Sequence, residues 1–212
     1  MDHLEKLLRA ASGPTCPAAS GDDLAELLPE WGRVGGELAS LLGWRNGFYG
    51  FLSALHLRGL GGETPAGLVG WNSAGCWREA FGGLADGRLY FAEDIFGFQF
   101  AIAAGGEAVV AFDSETGQVE EVADSLDGWA EVILEEPEYR TGFPLARAWQ
   151  ERNGALAAGT RLFPKLPFFA GGKYKIENLY ASDAVTGMRA RGSIAVQIKD
   201  LPDGTRIEFQ IE

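Results

Sequence analysis

The sequence predicts an α+β fold. A mainly antiparallel sheet, its central meander spanning about residues 89–122, is packed by several short helices and followed by a C-terminal helix–strand extension. Three observations carry this expectation. Leu89 to Glu93 is short, apolar and aromatic, as a buried strand is, and Phe98, Phe100 and Ile102 then alternate onto one face of the next strand. Between the two runs Asp94 to Gly97 is short and ends in a residue free to take positive φ, which makes a hairpin. A second pair turns at Asp113 to Gly117, where an aspartate start and a late glycine favour a loop built on a type I turn.

The remaining elements are read in chain order. Leu4, Leu7 and Leu8 have helical spacing, so residues 1–11 form a short helix that Gly13 and Pro14 end. Asp22 or Asp23 caps a helix from Leu24 to about Leu28. Trp31 to Gly36 is expected to be a break, and Glu37 to Trp44 a helix with Leu38, Leu41 and Leu42 inward. Phe48, Tyr49, Phe51 and Leu52 form an aromatic plug for the core, and Ser53 to Arg58 is a short strand. Asn72 or Ser73 caps a helix reaching Phe81, with Trp77 and Phe81 one turn apart. After the meander, Asp124 or Ser125 caps a helix through Trp129 and Ile133 that Pro137 stops. Phe143 to Asn153 is helical with Leu145, Ala148 and Trp149 inward. Leu162 to Gly172 is irregular, and Tyr174 to Tyr180 is ambiguous. Ser182 opens a helix to about Leu201, weakened at Gly187 and Gly192 by roughly 1 kcal/mol each. Arg206 to Glu212 alternates as a closing strand. The expected organisation is a domain over residues 1–155 and an extension over 156–212 on the same core.

Composition narrows the function. Thirty glycines imply many tight turns and short elements. The start lacks a basic stretch followed by an apolar run, and no segment approaches the roughly 18 apolar residues of a membrane helix, so a cytoplasmic protein with reduced Cys16 and Cys76 is expected. Net charge is −12 and uneven: between residues 101 and 140 eleven acids face one base, Arg140. Such a field repels nucleic acid and anionic membrane and attracts basic proteins. The bland alternative is a solvated surface that keeps the protein soluble.

Signatures of chemistry are sparse. A nucleophile needs a neighbouring base, and the two histidines are His3 near the terminus and His56 between leucines, where a core or half-buried role is expected. Two His and two Cys lie without zinc spacing, and Asp113 to Gly117 is no calcium loop, so no metal is expected. Glu93 and Asp94 could pair as acid and base, but an exposed hairpin end explains them more simply. Phosphate loops are absent, so no cofactor is expected. Lys173, Lys175, Arg189 and Arg191 flank tyrosines in the tail, but the total charge opposes RNA binding.

The segments Pro29-Glu-Trp31, Asn46-Gly-Phe-Tyr-Gly-Phe-x-x-Ala-Leu-His56, Leu89-Tyr-Phe-Ala-Glu-Asp-Ile-Phe-Gly-x-Gln-Phe100 and Phe112-Asp-x-Glu-Thr-Gly117 resemble the SUKH superfamily, over roughly residues 25–155. That superfamily includes fungal cell-wall-synthesis regulators and many bacterial immunity proteins. The resemblance implies helices packed on a mainly antiparallel sheet, no catalytic residues, and binding of a co-encoded toxin, often a nuclease. The tail from Leu162 departs from the pattern.

Together these suggest a non-enzymatic immunity or inhibitor protein, a monomer or weak dimer, that neutralises a cognate toxin such as a basic nuclease. Its expected contacts are Glu93, Asp94, Asp113, Glu115, Glu120, Glu121, Asp124 and Asp127, which flank the meander's turns and the following helix start. The alternatives left open are a scaffold or regulatory adaptor that binds a cellular protein or peptide at a sheet edge, and an enzyme built around His56 and a carboxylate.

Overall fold

A computed structural model describes residues 2–27, 29–61, 67–202 and 204–205. The fold is α+β. Six strands, β1 Phe48–Gly50, β2 Leu55–Leu57, β3 Arg88–Asp94, β4 Gln99–Ala103, β5 Val109–Phe112 and β6 Val119–Ala123, pair in chain order as one antiparallel meander. The two predicted turns close by side chains as well as backbone. Asp94 Oδ1 accepts the Phe96 and Phe98 amides, both at 2.8 Å, with Gly97 at φ +80°. Asp113 Oδ1 accepts the Glu115 amide at 2.7 Å, with Gly117 at φ +76°. Phe98 itself lies before β4 and joins a different cluster from Phe100 and Ile102.

One face of the sheet carries Leu89, Phe91, Ala92, Phe100, Ile102 and Val109 against three helices: α1 Asp2–Ala10, α3 Gly32–Trp44 and α5 Leu126–Glu135. α5 buries Leu126, Trp129, Ala130 and Ile133, a helical stripe, and its N-cap Ser125 accepts the Gly128 amide at 3.2 Å. Trp129 meets Phe91 and Phe100 edge-on, with centroids 5.2 and 5.7 Å away. The opposite face carries Tyr90, Ala101, Val110 and Phe112 against Trp77, Phe81 and the C-terminal helix α8 Ala184–Ile198. A third cluster caps the sheet end, where α7 Phe143–Asn153 and the paired strands β7 Thr160–Pro164 and β8 Leu179–Asp183 enclose Ile95, Phe96 and Leu162.

Several local expectations are corrected. The predicted break at 31–36 is helical: Trp31 ends a 3-10 turn, and 32–36 are the first turns of α3. Its glycines permit contact instead: a Cβ on Gly32 would lie 2.6 Å from the Gly105 carbonyl oxygen, and Gly106 O accepts the Val34 amide at 2.9 Å. Ser20, rather than Asp22 or Asp23, caps α2 Gly21–Leu27, its hydroxyl accepting the Asp23 amide while Asp23 reaches back. Asn72 ends the short helix α4 Leu68–Asn72, and only Arg78–Phe81 of the following stretch is helical, as a 3-10 turn. Asn72 is held away from capping by bonds to both backbone groups of Tyr90 at 2.8 Å. In the aromatic plug only Phe48 is fully buried; Leu52 is exposed at a turn where Phe51, Leu52 and Ser53 all take positive φ. In α7 Ala146 is fully buried, and the predicted Leu145 and Trp149 are half-buried against the same cluster. Leu162 to Pro164 is strand, as is Leu179 to Asp183, and Asp183 rather than Ser182 caps α8. The predicted strand Arg206 to Glu212 lies outside the described residues.

The two glycines that weaken α8 as an isolated helix are required by its packing. A Cβ on Gly187 would fall 2.0 Å from the Phe163 ring, and one on Gly192 would fall 2.7 Å from Phe81. Gly187→Ala should therefore cost about 1–3 kcal/mol in urea unfolding, despite alanine's better helix propensity. The penalty should vanish in a Phe163→Ala background, where the ring that meets the new methyl is gone.

Candidate functional site

The strand β3 contains a register shift between Tyr90 and Ala92, which leaves Phe91 and Ala92 together on the face that packs the three helices. The bulge reverses the facing of the residues after it, so Glu93 pairs with Gln99 on the opposite face, and His56 of β2 is its other cross-strand neighbour. Glu93 is 1% exposed, and four side chains converge on it. Its Oε1 meets Arg58 Nη2 at 2.7 Å, Arg161 Nε and Nη2 both at 2.9 Å, and His56 Nδ1 at 3.4 Å. Its Oε2 accepts from Gln99 Nε2 at 3.1 Å, and Gln99 in turn accepts from the Trp71 indole at 2.9 Å. The Arg58 guanidinium lies 3.5 Å over the Trp71 ring.

Burial alone would raise the Glu93 pKa, but the Arg161 and Arg58 guanidiniums outweigh it and hold the carboxyl well below its usual range. Burial, reinforced by the same two cations, lowers His56 to about 4, so its ring is neutral at pH 7 and stacks on Tyr49 with centroids 4.3 Å apart. The His56–carboxylate pair that an enzyme would use is present, but two guanidiniums occupy the carboxylate and the imidazole is a poor base. This is a structural lock.

A second buried group ties α8 to both meander turns. Arg191 donates to the Phe96 carbonyl, to Ser114 Oγ at 2.7 Å and to Glu115 Oε1 at 3.2 Å. Glu115 Oε2 also accepts the Phe169 amide at 3.0 Å. Burial raises the pKa of Glu115 and raises that of Asp94 well above the usual carboxylate range, against the opposing pull of backbone amides and Arg191.

These two groups correct the predicted contact set. Glu93, Asp94 and Glu115 are enclosed, at 1%, 3% and 3% exposure, and present no carboxylate to a partner. The expectation of an exposed hairpin end at Glu93 and Asp94 fails for the same reason: arginines distant in sequence and the turn's own amides cover both groups. The other five residues follow one another along the chain, with Glu120 and Glu121 on opposite faces of β6. Asp113 opens the turn before β6, Glu120 and Glu121 are exposed on β6, Asp124 follows it, and Asp127 lies in the first turn of α5. Asp127 is engaged: its Oδ1 accepts the His3 and Leu4 amides, both at 3.1 Å, and its Oδ2 lies 3.2 Å from His3 Nδ1. β6 is the last strand of the sheet, paired on one side with β5.

At the Asp113 end of this edge opens a cleft of about 680 Å³, bounded by the two meander turns and by the segment from Glu138 to Leu145. Phe96, Phe98, Tyr139 and Tyr174 line it with Asp113, Glu120, Glu138 and Arg140. Neither His56 nor Glu93 is among its lining residues. Sequence reasoning missed the tyrosines because they come from a short helix after Pro137 and from the stretch read as ambiguous; nothing in their spacing joins them. Among the described residues no cluster of His, Cys, Asp and Glu is placed to hold a metal, Cys16 and Cys76 are not bonded, and no helix is long and apolar enough to cross a membrane.

No protein-family model and no curated protein matches this chain. Among solved structures it is similar to Atu4351 from Agrobacterium tumefaciens, with a TM-score of 0.61 at 15% identity, covering 89% of this chain and 88% of that one. At that identity the likeness is one of fold.

The lock predicts a pH dependence with a defined sign. His56 has a lower pKa folded than unfolded, so between about 6.5 and 4 the unfolded chain binds more protons, and the His56 contribution to stability falls as pH falls. From pH 8 to pH 5 this amounts to about 2 kcal/mol, read by urea unfolding at the two pH values, and His56→Gln should flatten the slope. Glu93→Gln should cost about 3–5 kcal/mol at pH 7, because it strands two buried guanidiniums.

Proposed function

We propose that this protein is a non-enzymatic binding protein of the cytoplasm that neutralises a basic protein partner, and that the partner is a bacterial toxin, in keeping with the resemblance to SUKH immunity proteins. The observation that carries the proposal is the edge of the sheet. From Asp113 to Asp127 the chain holds six acids and no base. Glu115 is paired with Arg191, and Asp127 is engaged with His3. Asp113, Glu120, Glu121 and Asp124 form no salt bridge with any described basic side chain.

A strand edge that no described strand pairs offers main-chain hydrogen bonds, and carboxylates without a described basic partner along it select a cationic partner and speed its approach. A nuclease must be basic where it holds phosphates, so an acidic ridge suits that surface. The scaffold or adaptor alternative would use the same edge, with a cellular peptide as occupant; the aromatic cleft beside β6 is the observation in its favour.

The combined substitution Glu120→Lys, Glu121→Lys and Asp124→Lys should weaken association with a cognate toxin domain about 10- to 100-fold at low salt, and should flatten the salt dependence. Calorimetry at low and high ionic strength measures both. Circular dichroism checks the fold, which these exposed positions should leave intact. Wild-type affinity in the triple variant at low salt would end the proposal.

A further inference from the structure

The cleft at the end of β6 has features that the acidic edge alone does not. Its walls are aromatic and its ionisable rim is mostly acidic. Tyr139 and Tyr174 are 75% and 57% exposed, far more than aromatic rings used for packing. Tyr174 is not loose: its ring stacks on Phe168 at 3.9 Å and 7° and meets Phe96 edge-on at 5.7 Å. Both tyrosines, Phe96 and Phe98 line the same space, with Asp113, Glu120 and Glu138. Arg140, the basic residue among the lining, is ion-paired with Glu136 at 3.2 Å, so its charge is offset. Lys173 and Lys175 flank Tyr174 in sequence but are not among the lining residues.

Aromatic faces beside carboxylates attract cations, and guanidinium most readily, because it is planar and weakly hydrated. The molecule already uses its own rings in this way: Arg191 lies 5.4 Å from the Phe98 centroid on the buried side, and Arg140 lies 5.0 Å from that of Tyr139. The Tyr174 hydroxyl is pushed up to about 12, first by burial and then by the neighbouring acids Asp94, Glu115 and Asp113.

We propose that this cleft receives an arginine side chain from an extended segment of the partner that lies along β6, with Tyr174, Tyr139 and Phe98 facing the guanidinium and Asp113 and Glu120 balancing its charge. The inference rests on the partner-binding role proposed above and deepens it. It commits to one occupant, arginine on a strand, because the cleft adjoins the β6 edge that no described strand pairs and its charge is complementary to a cation.

The test uses two capped pentapeptides, Thr-Val-Arg-Val-Thr and the same peptide with citrulline, a neutral isostere of arginine, in place of its arginine. The expected result in NMR titration of the full chain is that the arginine peptide moves the amides of 119–121 and the ring signals of Tyr139 and Tyr174. The citrulline peptide should bind about tenfold more weakly. Tyr174→Leu should bring the arginine peptide down to the citrulline level. Tyr139→Ala, at a site too exposed to affect folding, should reduce the preference as well. Equal affinity for the two peptides, no ring shifts, no binding, or a preference that survives both substitutions would each overturn the inference. None of those outcomes bears on the acidic edge as the toxin contact, which stands or falls on the β6 charge-reversal variant. Conversely, a tyrosine-dependent arginine preference alongside unaltered toxin binding in that variant would support the cleft and remove the acidic edge as the toxin contact.

Discussion

A carboxylate withdrawn from water must be met by positive charge, and Glu93 sets that requirement at the centre of this molecule. Two cations meet it, Arg58 from the segment just after β2 and Arg161 from β7, 68 residues further along than Glu93, while the neutral His56 ring of β2 adds a polar contact. An ion group of this kind contributes less to net stability than its short distances suggest, since desolvation offsets most of the attraction. Its effect is on specificity: register errors in β2 or β3, or a misplaced β7, would leave a buried charge unpaired. The bulge at Phe91 belongs to the same device, because it turns Glu93 off the face that packs α1, α3 and α5.

Arg191 performs the corresponding service at the sheet's end. One guanidinium holds the Phe96 carbonyl in the first meander turn and Ser114 and Glu115 in the second. α8 can bring it close because Gly187 and Gly192 let the helix settle on Phe163 and Phe81. The two turns that border the cleft are thus fixed by one buried cation, and a preformed cleft spares a partner the cost of ordering it. The position of the extension and the shape of the cleft are consequences of one contact.

The same two arginines explain the uneven charge of the chain. The acids of the first two thirds and the bases of the last third partly cancel inside the protein, through Glu93 with Arg161 and Glu115 with Arg191. Burial takes Glu93, Asp94 and Glu115 out of the solvent-facing set, while Glu120, Glu121 and Asp124 stay exposed on and just after β6.

The sequence alone determined whatever depends on nearest neighbours. The hairpins at Asp94–Gly97 and Asp113–Gly117, the Ser125 cap, and the Leu4–Leu7 and Trp129–Ile133 stripes arise from side chains acting within a few residues of themselves. Glycine at the start of α3 misled because its local meaning, a break, is opposite to its meaning at a close contact. Only the tertiary structure decided which acids face water. Glu93 and Glu120 look alike in sequence, each among strand residues, and differ because Arg58 and Arg161 converge on one and nothing basic among the described residues pairs with the other. The cleft was likewise invisible, since Phe98, Tyr139 and Tyr174 are joined by packing across tens of residues, and electrostatic and aromatic contacts depend on distance in space rather than along the chain.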